Sequence, residues 1–200
     1  MRPIDPDGFE ALFRQDVDPW NYARSPFEAY KRDRLLRACG DRVYGRGLEL
    51  ACANGETTRR LAKRCLRLLA VDSSETAVKE AARRTAGLRN VAVKQALLPS
   101  QTPQGPFDLI VASEILYYLS CSDLLALLGQ LQQALAPGGR LVILHHVIAF
   151  ADARQPPALA QRRAKTFLTK TLPLVLEARE TRFEVFAVQQ GCRALQRVTR

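Results

Sequence analysis

From about residue 45 to residue 150, short runs rich in Val, Ile and Leu alternate with segments whose apolar positions recur at helical spacing. The runs predict strands at Arg46–Ala51, Leu68–Asp72, Val91–Gln95, Phe107–Glu114 and Arg140–His146, bounded by Gly, Pro or Asp. Helices are predicted between them, near Glu56–Cys65, Ser74–Ala86 and Cys121–Leu135. Strands that alternate with amphipathic helices form parallel βαβ units, so an α/β, doubly wound sheet is expected. In the tail, a helix near Ala158–Leu168 precedes apolar runs at Leu174–Ala178 and Arg182–Val188. The polar link between those runs is short enough for an antiparallel hairpin. Upstream, Ser25-Pro26-Phe27-Glu28 combines an N-cap serine, proline at the first helical position and glutamate at the third, which predicts a helix over Pro26–Cys39. A further helix at Gly8–Gln15 is joined to it by the aromatic stretch Asp18–Tyr22.

Composition narrows this picture. Two hundred residues with 47% hydrophobic content suit one domain with a single core. No run approaches the roughly 20 apolar residues of a membrane helix, and the N-terminus MRPIDPDGFE has no basic region followed by an apolar one, so a cytoplasmic protein is expected. The five cysteines are scattered, with no CxxC pair and no zinc-ligand spacing, and are expected as reduced thiols with no metal. The net charge of +10 permits nucleic acid or anionic partners, but the basic residues are spread along the chain, as on a solvated basic surface.

Candidate chemistry gathers at the ends of the predicted strands. Gly47-Leu48-Glu49-Leu50-Ala51-Cys52-Ala53-Asn54-Gly55 is an apolar strand running into a turn of small residues that opens a helix. Small side chains let a ligand approach the backbone, and the helix start offers free amides. Only one of the three glycines of a dinucleotide fingerprint is present, which disfavours a nicotinamide-dependent oxidoreductase. The second strand ends in Asp72, followed by Ser73, where a carboxylate can bind both hydroxyls of a ribose. Glu114 ends the fourth strand, on the edge where ligands bind in such sheets, and Tyr117 and Tyr118 follow as site wall or helix packing. The only histidines, His145 and His146, end the fifth strand and point to opposite faces, so one at most faces a site.

The acidic first-strand residue, the small-residue turn, Asp72, the strand Phe107-Asp108-Leu109-Ile110 and the turn Ala136-Pro137-Gly138-Gly139-Arg140-Leu141, in this order, resemble class I S-adenosylmethionine (SAM) dependent methyltransferases. The segments DPWNYARSPFEAYKRDRLL and ASEILYYL extend the resemblance to the nodulation N-methyltransferase (NodS) family, over about residues 9 to 150. The resemblance implies a Rossmann-like, mostly parallel seven-stranded sheet with a C-terminal antiparallel hairpin. Residues 1–40 would form a helical lid, 45–150 the SAM-binding core and 151–200 the last helix and hairpin. It implies that Glu49, Ala51, Ala53 and Gly55, with Cys52 and Asn54 of the same turn, surround the methionine half of SAM, and that Asp72 with Ser73 holds the ribose. Trp20 and a basic residue, Arg32 or Arg34, would close over the cofactor, and His145 is the histidine the family pattern places at the site. Where the family usually has an aspartate facing adenine, this chain has Ala96 followed by Leu97, which leaves adenine to backbone and apolar contacts or to Gln95.

The activity this implies is methylation of a primary amine on a small, amino-sugar-like acceptor, releasing S-adenosylhomocysteine (SAH). Glu114 or His145 would accept the ammonium proton, with Tyr117 and Tyr118 near the reacting nitrogen. The rival readings are an RNA or DNA methyltransferase on the same fold and an inactive SAM-binding or partner-binding module. The acceptor, the regiochemistry and the oligomeric state are not fixed by the sequence.

Overall fold

The computed structural model describes residues 3–191, so Cys192 lies outside the described residues. Within these residues seven strands form one sheet in the order β3-β2-β1-β4-β5-β7-β6: β1 Tyr44–Leu50, β2 Cys65–Asp72, β3 Val91–Gln95, β4 Phe107–Ser113, β5 Leu135–His146, β6 Leu174–Arg179 and β7 Phe183–Gln189. The first five run parallel, and β7 pairs antiparallel with both β5 and β6. The expected mixed sheet with its terminal hairpin is therefore present. Among the described residues six α-helices accompany it: α1 Pro6–Gln15, α2 Pro26–Ala38, α3 Glu56–Leu61, α4 Glu75–Thr85, α5 Cys121–Ala134 and α6 Pro157–Leu168.

Strand alternation divides the core between two layers. Ile110 and Ala112 of β4 and Leu141 and Ile143 of β5 face Leu124, Leu127, Leu128 and Leu131 of α5 and Ala160 and Ala164 of α6. Leu109, Val111, Val142 and Leu144 face the opposite way, onto Leu35 and Ala38 of α2 and Leu61 of α3. Every one of these side chains is nearly or completely removed from water. The strand order reverses between β1 and β4, which carry their helices on opposite faces, and this switch point opens a crevice at the carboxyl edge of the sheet.

Several element ends differ from the sequence reading, each for a local reason. The third helix stops at Leu61 and passes through a 3₁₀ turn at 62–64, because Cys65 already pairs with Tyr44 in the sheet. The fourth strand stops at Ser113, since Glu114 takes a left-handed φ of 57° that breaks the extended backbone, its amide making a last bond to the Leu144 carbonyl at 3.1 Å. The fifth begins at Leu135, five residues early, and a register shift opposite Phe107/Leu109 absorbs the turn containing Gly138 and Gly139. A Cβ on Gly139 would sit 2.7 Å from the Ala136 carbonyl oxygen, which explains glycine there. The first helix starts at Pro6 because Asp5 caps it, its carboxylate accepting from the Gly8 amide at 2.8 Å.

Candidate active site

A cavity of about 430 Å³ lies at the crevice, walled by the turn after β1, the ends of β2, β4 and β5, and by α1 and α2. Its floor is the turn 51–55. Ala51, Ala53 and Gly55 take positive φ values of 52°, 48° and 81°. Two of the three positions suited to glycine are thus filled by alanine, the only side chain short enough to keep the backbone open to a ligand at modest conformational cost. Gly55 does not line the cavity; its α-carbon packs against α4, where a Cβ would meet Ala81 Cα at 2.9 Å. Cys52 and Asn54 line the cavity with the two alanines, although both are almost fully buried.

Two carboxylates flank this turn. Asp72 accepts from the Ala53 amide at 2.9 Å and from the Ser74 amide at 3.0 Å, so it braces the turn and starts α4 while lining the cavity. Burial pushes its carboxyl up, against those amide bonds. Glu49 is the harder case. Its Oε2 is buried without a hydrogen-bond partner, and burial, reinforced by the Asp72 charge, drives its carboxyl up to about 8. Next to them, Ser73, Ala96 and Leu97 line the wall. Gln95 is committed elsewhere, its side-chain amide donating to the Ser73 carbonyl at 2.9 Å.

The opposite wall is aromatic. Trp20 packs edge-on against Phe13 at 5.5 Å and near Tyr22 at 5.6 Å, and Phe9 meets Tyr118 at 4.8 Å. Helix α1, which carries Phe9 and Phe13, is fastened by Glu10, whose carboxylate accepts from Ser74 and Thr76 at the start of α4. Of the two arginines singled out in α2, only Arg32 lines the cavity, donating to the Tyr22 carbonyl at 3.2 Å. Arg34 is turned to the other end of the helix face, paired with Glu180 at 2.9 Å.

At the inner end, Glu114 meets Lys31 at 2.8 Å, accepts from the Tyr117 hydroxyl, and accepts from the His146 amide at 3.0 Å. Lys31 also bridges to Glu28 at 3.0 Å. Burial by itself would push the Glu114 carboxyl up, but Lys31 and the hydrogen bonds hold it below the usual carboxylate range. Lys31 is correspondingly held above its usual value by Glu114 and Glu28, in spite of burial. Tyr117 and Tyr118 line the cavity, and burial beside Glu114 raises both phenols.

The expectation for His145 is corrected. It does not line the cavity and is 0% exposed. Its Nε2 accepts from the amides of Ile115 and Leu116 at 3.3 and 3.0 Å, and its Nδ1 donates to Gln161 Oε1 at 2.8 Å. Burial drives the ring down to about 4, so it is neutral, with its lone pair occupied. The neighbour His146 faces the cavity instead, because residues 142, 144 and 146 of β5 turn toward α2. Lys31, Glu28 and Tyr22 were also not identified from the sequence. The spacing Glu28-x-x-Lys31 was visible as a helical ion pair, but nothing in it announced a buried one.

A family model described as a methyltransferase domain matches residues 48–141. Nodulation protein S of Rhizobium tropici is 32% identical over 140 residues, which cover 68% of this chain and 59% of that protein. The chain thus spans less than two thirds of the curated relatives it matches. Among solved structures, the N-methyltransferase NodS of Bradyrhizobium japonicum in complex with SAH superposes with a TM-score of 0.77 at 25% identity, over 90% of this chain and 97% of that one. A candidate methyltransferase from Pseudomonas syringae is 32% identical with a TM-score of 0.69, over 82% of this chain and 99% of that one. The fold agrees with these structures, and the chain belongs to the class I SAM-dependent methyltransferases.

Proposed function

We propose that this protein methylates a primary amine on a small polar acceptor, with an amino-sugar-like amine as the type. The observation that carries the reading is Glu114, a buried carboxylate kept anionic by Lys31 in the wall of a cavity of about 430 Å³. The N-methyltransferase named among the relatives supports it. SAM supplies an electrophilic methyl on a sulfonium. The residues present fit such a donor: the partnerless Glu49 Oε2 suits its ammonium, Arg32 its carboxylate, and Asp72 its ribose hydroxyls. The faces of Trp20 and Tyr22 suit a cationic sulfur. With Ala96 in place and Gln95 engaged, adenine is left to Leu97 and backbone groups.

Glu114 and the phenol of Tyr117 orient the acceptor nitrogen by accepting its hydrogens, while the helix α1 cover excludes water. A screen with methyl-labelled SAM against glucosamine oligomers, simple primary amines, hydroxylated small molecules and RNA tests the assignment. Label on amines is expected. Label only on hydroxyls or RNA overturns it.

A further inference from the structure

An acceptor that arrives as an ammonium must lose a proton before its lone pair can attack a methyl carbon. Two candidate bases, Glu114 at the inner end of the cavity and His145 behind it, are poorly suited to take it. Glu114 is held in its anionic form by Lys31 and by two hydrogen bonds, which makes it an anchor and a weak base. His145 has spent its lone pair on two backbone amides. On the amine reading above, we propose that His146 is the catalytic residue that accepts the acceptor's proton, at Nε2.

The geometry of the ring supports this. His146 Nδ1 lies 3.2 Å from the Ile148 carbonyl oxygen, which can only accept, so Nδ1 carries the hydrogen. In the neutral ring that leaves the lone pair on Nε2, with no protein donor on it among the described residues. The ring lines the cavity and packs at 6.3 Å, tilted 62°, against Phe150, whose own ring contacts Tyr117 and Tyr118. The His146 amide donates to Glu114 Oε2, tying the base to the anchor. Charged groups sharing this wall are Lys31 and Glu28 from α2, Glu114 after β4, Arg154 before α6 and Arg182 before β7. Arg182 is held over the Phe27 ring at 3.9 Å, and Lys31 is paired with both glutamates, so these two cations have partners of their own.

The step balances simply. One proton moves from the ammonium to Nε2; the freed lone pair forms the new C–N bond as the methyl–sulfur bond breaks, its electron pair staying on sulfur. His146, half-buried, then releases the proton to water.

The test is His146→Asn, whose side-chain amide can still donate to Ile148 while lacking the second ring nitrogen. With glucosamine oligomers as acceptor, kcat at about pH 7 is expected to fall about 100-fold, and the loss is expected to shrink to within about threefold at about pH 9, where the amine sheds its proton unaided. SAH affinity by calorimetry should stay within about twofold of wild type, and an aromatic amine, already neutral at about pH 7, should be methylated at near wild-type rate. A defect of equal size at both pH values and with the neutral amine would mark a structural role and overturn the proposal, as would full activity at about pH 7. Wild-type transfer to hydroxyls alone overturns the amine reading and this inference with it.

Discussion

Glu10→Ala should loosen α1 without unfolding the sheet. The Glu10 carboxylate accepts from Ser74 Oγ at 2.7 Å, Thr76 N at 3.1 Å and Thr76 Oγ1 at 2.8 Å, at the N-terminal end of α4. These contacts, with Arg14 at 2.7 Å, hold the carboxyl down at about 2. Charge-assisted hydrogen bonds contribute roughly 1.5–3 kcal/mol each when shielded. The Glu10 side chain is 21% exposed, so water screens this set, and the three bonds act as one unit. Together they are worth about 2 kcal/mol, or about a 30-fold change in the opening equilibrium. Amide hydrogen exchange over Pro6–Gln15 should therefore accelerate about 30-fold in the variant, while α5 amides exchange as before. Because the folded carboxyl is depressed, its contribution is present above the usual carboxylate value of 4.5 and lost as pH falls from there toward about 2. Wild-type α1 should loosen over that same window, and the variant should not respond to it. Unchanged exchange in α1, or equal acceleration in α5, would refute the role of Glu10 as a local fastener.

Asp72→Ala should weaken SAM binding by roughly 1–3 kcal/mol in calorimetry, through lost charged hydrogen bonds; unchanged affinity would remove Asp72 from the site. Glu49, raised to about 8, binds a proton in the folded state that the unfolded chain has released, so the ligand-free protein should lose stability as pH rises from about 4.5 through about 8. Glu49→Gln should flatten that slope in thermal melts, and a slope that persists would place its origin elsewhere. His145→Leu should orphan the Ile115 and Leu116 amides, cost about 1–3 kcal/mol and lower Tm by several degrees, with kcat per folded molecule within about twofold; a large kcat loss at unchanged Tm would restore a catalytic role.

The periodicity of the chain by itself determined the element types, their order and the parallel sheet, because each strand carries its own apolar run and several helices their own capping residue, as Ser25 and Ser120 illustrate. It also determined the turn after β1 and the acids at positions 49, 72 and 114, which are local in sequence and lie at strand ends that such folds use. What it left undecided is whatever depends on two distant segments meeting. That His145 and His146 face opposite ways follows from strand geometry, but which of them meets the cavity depends on α2 lying over one face of β5 and α6 over the other. Arg32 and Arg34 are two positions apart on a helix, and only the docking of α2 against β7 turned Arg34 onto Glu180 and Arg32 inward. Lys31 shows the same limit. A lysine between polar neighbours reads as solvent-facing, and it became a buried counter-ion for Glu114 because a chain segment 83 positions away folded beneath it. Charge placed across such a gap has no signature in the spacing of residues, since its cause is the burial that only tertiary packing supplies.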